Sequence, residues 1–236
     1  MIGSMQWRIF LSEYDSGHTY LGWLMTAWGW TLLVALSALL VALVVGLLAG
    51  IARTTSVNWL VFLGDACTEL MRNVPLLVQV FLWYYAAPAL YAPLQAVPGF
   101  VLVVLALGFY TSARISEQIK AGIQALPRGQ RNAGLALGLT LAQTYRYVLV
   151  PHALRILAPP LTSEAMTIVK NSSVAFAVSV PELTMFAMQA QEETSRGVEI
   201  YLAVTALYFI SSFAVGRAAS LIAALFRVPG MLGAKP

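Results

Sequence analysis

In a chain of 236 residues, 59% apolar residues stand against only 10% charged ones, a balance outside that of ordinary soluble domains. A single cysteine, Cys67, excludes an intrachain disulfide and a cysteine-built metal site, and is expected as a small buried apolar residue. The net charge of +4 is dispersed over short segments between apolar runs, which excludes the basic, aromatic-interleaved stripe of a nucleic-acid interface.

The apolar excess is laid out in long uncharged stretches. Asp15 and Arg53 enclose none of Asp, Glu, Lys or Arg, and neither do Arg72 and Arg114. Since about 20 apolar residues cross a bilayer as a helix, the chain is expected to be an integral membrane protein. The first residues lack a basic start, a short apolar core and a small-residue cleavage site, so the first apolar run is expected as a retained span.

Residues 1–22, with Arg8, Glu13 and Asp15 among Trp7, Phe10, Tyr14 and Tyr20, suit an interfacial segment on the outer surface. Span one follows over residues 23–51, its start marked by Trp23, Trp28 and Trp30 as an aromatic belt would be. Gly46 and Gly50 form a G-x-x-x-G pair, which serves close helix approach or is simply the ordinary glycine of membrane helices. Asp65 and Glu69 lie at the inner surface, where a second span over 66–87 begins. Pro88, Pro93, Pro98 and Gly99 then divide an uncharged run too long for one crossing. Span three covers 100–121 and turns polar at Thr111, Ser112, Arg114, Ser116, Glu117 and Lys120. Span four covers 154–180, with Glu164, Lys170 and an interruption at Pro159 and Pro160; span five covers 200–225. Residues 23–226 thus make one transmembrane domain, and 227–236 a cytoplasmic tail.

Across residues 121–163 there are four arginines, Arg128, Arg131, Arg146 and Arg155, and no acidic residue. By the positive-inside rule this places the 127–151 loop in the cytoplasm. The loop between spans four and five carries Glu182, Glu192, Glu193 and Glu199 against Arg196, the opposite balance. Five crossings then put the N-terminus in the periplasm and the C-terminus in the cytoplasm.

No G-x-x-x-x-G-K-[ST] phosphate loop is present, so if transport is ATP-driven the motor is another chain. His18 and His152 fall on opposite sides and form no metal pair; His152 suits a helix start or interface. Arg114 lies about 14 residues into span three, roughly 21 Å along it. Charges at such depth mark functional sites by default. Its planar fork suits a substrate carboxylate, or alternatively an internal pair with Glu117, Glu69 or Glu164. An intramembrane enzyme would need a nucleophile and base at one depth, and no G-x-S-G or paired-histidine pattern is visible. A secondary transporter would bring an inverted repeat, which five spans do not supply.

Two stretches resemble a known family. Asn132, Ala133, Gly134, Gly138, Val148, Val150 and Pro151 fall at the spacing of the cytoplasmic E-A-A…G…I-x-L-P loop of bacterial ABC importer permeases, with Asn132 in place of its Glu. Arg72-Asn73-Val74-Pro75-Leu76-Leu77-Val78-Gln79 resembles the R-G-T-P-L-L-V-Q signature of the polar amino-acid branch, and Lys170-Asn171-Ser172-Ser173 its K-[DN]-[ST]-S segment. Among the branches the chain looks most similar to permeases of glutamate/aspartate importers; glutamine or basic amino acids are the alternative specificities, and an ion-coupled secondary transporter the alternative class.

The resemblance implies an all-α membrane domain of about five spans with a cytoplasmic coupling helix, the type I importer architecture, in the bacterial inner membrane. It implies coupling to the ATPase through Gln130, Arg131, Asn132, Ala133, Gly134, Leu135 and Gly138. A substrate path is expected along Thr111, Arg114, Glu117, Lys170, Asn171 and Ser172. The chain itself would hold no cofactor and no metal, ATP and Mg being bound by two partner ATPase subunits. A second permease chain, in a heterodimer or a homodimer, and a periplasmic amino-acid-binding protein complete the implied assembly.

Overall fold

A computed structural model of the protein describes residues 6–15 and 17–225. The expected tail at 227–236 and the first five residues lie outside that description. A short 3-10 turn, Trp7–Leu11, leads into a small antiparallel hairpin, β1 (Glu13–Asp15) and β2 (His18–Thr19). Among the described residues the regular elements after it are helices: α1 (Tyr20–Ala52), α2 (Asn58–Asn73), α3 (Leu76–Leu90), α4 (Gly99–Gln124), α5 (Arg128–Ala136), α6 (Leu141–Val178), α7 (Leu183–Thr194) and α8 (Gly197–Leu225), with a short 3-10 turn at Ala92–Ala96.

Three helices, α1, α4 and α8, are each long and apolar enough to cross a membrane, and the bent pairs α2–α3 and α6–α7 raise the number to as many as five. The expected five-span, all-α architecture is what the chain adopts. Its interior divides into two apolar clusters. The larger joins α1, α3, α4 and α6 through residues such as Val34, Ala38, Val80, Leu107, Ile115, Ile119 and Leu157. The smaller, toward the other end, gathers Phe10, Tyr20 and Leu24 with Leu183, Phe186 and Ile200.

The α1–α4 pairing settles the reading of Gly46 and Gly50 in favour of close approach. A Cβ on Gly46 would stand 2.7 Å from Ile115 Cβ, and one on Gly50 2.5 Å from Ile119 Cβ and 2.9 Å from the Ser116 carbonyl. In return Gly108 of α4 admits Val41 of α1. Small residues let backbones meet where lipid offers no hydrophobic force to join helices.

Several expectations are corrected here. The second span is not one straight helix over 66–87: α2 and α3 meet at 106°. Pro75 has no N–H to continue the helix, and its steric demand pushes Val74 to an extended conformation (φ −95°, ψ 129°). Buried Gln79 repairs the corner, its side-chain amide donating to the Met71 and Val74 carbonyls. The P-L-L-V-Q spelling thereby has a local reason, since Met71 O is the acceptor that a residue other than proline at 75 would have served.

The 127–151 segment is not a loop throughout and span four does not begin at 154. Helix α6 starts at Leu141, passes through a π turn over Tyr145–Leu149, and continues unbroken past Pro159 and Pro160. Missing donors at adjacent prolines are tolerated in a membrane helix held by its neighbours. The acidic segment before span five is largely the helix α7. Glu182 is fully buried and caps it, accepting from the Thr184 and Met185 amides and from the Tyr208 hydroxyl. Left-handed Ser179 (φ 61°) and Ser195 (φ 56°) turn the chain at either end of this unit. Cys67, expected buried, is exposed on α2.

Candidate coupling and translocation site

Helix α5 is defined by its ends. Pro127 precedes it, where a missing N–H costs nothing. At its close Gly138 takes φ +82°, the Gly138 amide donates to Leu135 O (3.0 Å) and the Leu139 amide to Gly134 O (3.1 Å). This pair of bonds is the Schellman stop, which needs a residue comfortable at positive φ. Two residues on, Thr140 and Gln143 form a reciprocal capping box that starts α6.

The inner side of α5 is fastened to α6. Buried Gly134 sits against Thr144, where a Cβ would come within 2.8 Å, and the Gln130 side chain meets His152 Nδ1 at 2.9 Å. His152 thus serves an interface between two helices, one of the roles expected of it. The opposite side of α5 is open: Arg131, Asn132, Ala133 and Leu135 are exposed, and Leu137 is 82% exposed just beyond. Among the described residues Asn132 has no side-chain hydrogen-bond partner. A mixed face of Arg131, Asn132 and Ala133 with exposed Leu135 and Leu137, on a capped helix, is the kind of surface a partner covers.

Inside the bundle, the expected path residues separate into two groups. Arg114 of α4 lies against Glu164 of α6, its Nε 3.2 Å from Oε1 and 3.0 Å from Oε2, while Gln118 donates to Glu164 Oε1 at 2.9 Å. The Glu164 side chain is 5% exposed but that of Arg114 is 46% exposed, so the guanidinium is anchored at one edge and open at the other. Of the three internal carboxylates considered for Arg114, the structure selects Glu164. Thr111, one turn above, is buried with its hydroxyl unpartnered.

Glu117 belongs elsewhere. It pairs with Arg53 at 2.6 Å, in a network where Arg53 also binds Asp65 (2.6 Å) and Ser116 (3.0 Å) and Lys120 binds Asp65 (2.9 Å). Arg72 extends this network toward Glu69 (3.1 Å). Burial opposes the charged form of Arg53, but its hydrogen bonds to Glu117 and Asp65 prevail and hold its pKa above the usual guanidinium value. Ser172 is also removed from any open path: it is fully buried and its hydroxyl donates to Val169 O at 2.7 Å in its own helix. Lys170 is exposed and Asn171 half-buried. Glu164, six residues from Lys170, is committed to Arg114 and Gln118.

Sequence reasoning missed Arg53, Asp65 and Lys120 as one cluster and Gln118 as a partner of Glu164. A signal existed for Gln118, which stands four residues from Arg114 and so on the same helix face. None existed for the Arg53 cluster, which depends on the level at which α1, α2 and α4 meet.

These features define a helical protein of several membrane spans with a capped, exposed helix outside them. Residues 42–228 match the family of binding-protein-dependent transport system inner membrane components, and the chain belongs to that family. It is 39% identical to the glutamate/aspartate import permease protein GltJ of Escherichia coli (strain K12), over 97% of this chain and 98% of that one. It is 36% identical to the glutamine transport system permease protein GlnP of the same strain, over 76% and 82%. Among solved structures, an amino acid ABC transporter crystallised with histidines superposes with a TM-score of 0.75 at 29% identity, covering 87% of this chain and 95% of that one. The MetNI methionine ABC transporter in an inward-facing form shares the fold, with a TM-score of 0.73 at 20% identity over 88% and 98%. The chain is a permease subunit of an amino-acid ABC importer of the inner membrane.

Proposed function

We propose that this subunit moves glutamate and aspartate from a periplasmic binding protein into the cytoplasm by ATP-driven alternating access. The observation that carries the substrate is the 39% identity to a glutamate/aspartate import permease over nearly the whole of both chains. The open edge of Arg114 supports it chemically, since a guanidinium held by Glu164 at one side keeps donors free for a substrate carboxylate. Thr111, with its unpartnered hydroxyl, stands beside that path. Lys170 and Asn171 are its further members in the direction of the far end of α6; Glu117 and Ser172 are not.

Helix α5 is the coupling helix in this reading. Its fastened side transmits and its open side, Arg131, Asn132, Ala133 and Leu135, is received by one of two ATPase subunits. Gln130, Gly134 and Gly138 hold it in place. The N-terminus is periplasmic and the C-terminus cytoplasmic, and a second permease chain, of a different kind or a copy, completes the pore.

Uptake of labelled glutamate into vesicles reconstituted with the importer and its cognate binding protein tests the substrate. Aspartate is expected to compete strongly and glutamine, histidine and arginine weakly; glutamine competing best would assign the chain to the glutamine importers instead. Arg114→Gln is expected to lower this uptake while the ATPase still co-purifies, and unchanged uptake kinetics would take Arg114 out of the path. Cysteines placed at Ala133 or Leu135 are expected to crosslink to the ATPase chain, and accessible cysteines that do not crosslink in the assembled importer would count against the coupling role.

A further inference from the structure

Among the described residues, the side-chain tie between helices α1 and α8 lies toward their outer ends. There Trp28 Nε1 donates to Ser211 Oγ at 2.7 Å, and the smaller apolar cluster fills the space between them and α7. Below that tie the two helices part on either side of α6 and leave a groove of about 530 Å³. Leu39 and Leu43 of α1 form one wall, Ile222 and Ala223 of α8 the other, and Ala158 and Ala165 of α6 the floor. The hydroxyl of Thr162, also on α6, donates to the Ala158 carbonyl at 2.9 Å, so this part of the floor presents no free polar hydrogen to the groove.

One end of the groove differs. Arg155 lines it there, near Pro151 and the helix start fastened to α5. Among the described residues no carboxylate pairs with Arg155, and the nearest one in sequence on its own helix, Glu164, is occupied by Arg114 and Gln118. From Arg155 to Ala165 the floor runs about 15 Å at 1.5 Å per residue. A single leaflet of hydrocarbon is about 15 Å deep, half of a core of about 30 Å. A groove of one leaflet's depth, apolar along its length and cationic at the surface end, matches the shape and charge of one phospholipid.

We propose that this groove is a binding site for an anionic phospholipid, with an acyl chain along the wall of Leu39, Leu43 and Ala223 and the phosphate on Arg155. Arginine suits that contact because its planar fork donates two parallel bonds to phosphate oxygens. The assignment to the cytoplasmic leaflet rests on the orientation proposed above; the preference for anionic lipid does not.

The test uses the assembled importer in vesicles of phosphatidylcholine with a small fraction of photoactivatable phosphatidylglycerol or photoactivatable phosphatidylcholine, the labelled peptides being located by mass spectrometry. Phosphatidylglycerol is expected to label the peptides containing Leu39, Leu43 and Ala223 about fivefold more than phosphatidylcholine does, the equivalent of about 1 kcal/mol for one basic side chain at an anionic surface. Arg155→Gln is expected to abolish that preference and Arg155→Lys to retain part of it. Ala158→Phe, which fills open space, is expected to stop labelling by both lipids. Equal labelling by the two lipids, labelling unaffected by Arg155→Gln, or crosslinks from this groove to the second permease chain would overturn the proposal. Uptake specificity plays no part in the readout, so the lipid site and the glutamate/aspartate assignment stand or fall separately.

Discussion

Replacing Asp65 by Asn together with Glu117 by Gln is expected to destabilise the importer more than any single change to the charges of the inner network. Arg53 is held with its side chain only 3% exposed, bonded to both carboxylates and to Ser116. Neutralising both partners leaves a guanidinium out of water with no counter-charge, a situation that costs about 3–5 kcal/mol. The reverse change, Arg53→Met, is expected to cost less. The carboxylates it abandons are 39% and 36% exposed, Asp65 keeps Lys120 at 2.9 Å, and water reaches Glu117. Melting of the purified complex checks the order: the carboxylate double variant lowest, Arg53→Met intermediate, wild type highest. Equal melting of the two variants would mean that the network acts as a solvated surface patch.

Gly50→Leu is expected to prevent the bundle from assembling. Even a Cβ at this position would stand 2.5 Å from Ile119 Cβ and 2.9 Å from a backbone carbonyl, and a carbonyl of a helix cannot swing aside. Overfilling a tight core contact costs about 1–3 kcal/mol when side chains can yield, and here backbone faces backbone. The amount of chain in the membrane fraction and the ATPase that co-purifies with it are expected to fall together. Gly29→Leu is the matched control, because nothing lies within 4 Å of a Cβ there. Partial recovery of Gly50→Ala by Ile119→Gly, which removes the Cβ in the way, would show that the approach of α1 to α4 is the cause.

The long uncharged runs made α1, α4 and α8 legible at once, because crossing a bilayer is a demand of composition and length. Pro75 was legible as a break but its angle was not: the direction of α2 depends on where Arg53, Asp65 and Lys120 find one another. Helix α7 was read as an acidic loop because Glu182, Glu192 and Glu193 are unusual at membrane level. Glu182 caps the start of its own helix and is closed over by Tyr208 of the next one, and Glu193 is met by Tyr20 from the start of α1, two tertiary contacts that no local pattern announces. Arg114 had three possible carboxylates in the sequence, and only the relative height of α4 and α6 selects Glu164. The stop at Gly138, by contrast, could be anticipated, since a helix end that needs positive φ is a local property of one residue type.

Helix α5 is fastened to α6 by the Gly134–Thr144 contact, the Gln130–His152 bond and the short capped link through Gly138, while it joins α4 through Ala125, Leu126 and Pro127 alone. Any push on α5 is therefore delivered to one rod and not shared equally between two. That rod, Leu141–Val178, is about 57 Å long at 1.5 Å per residue. Tilting it by about 5° about its near end would carry the far end through about 5 Å. The far end is the left-handed hinge at Ser179, next to the sealed Glu182–Tyr208 lock. The geometry is that of a lever arm, so a displacement too small to open anything where it is applied becomes, at the far end of the rod, about the width of a side chain.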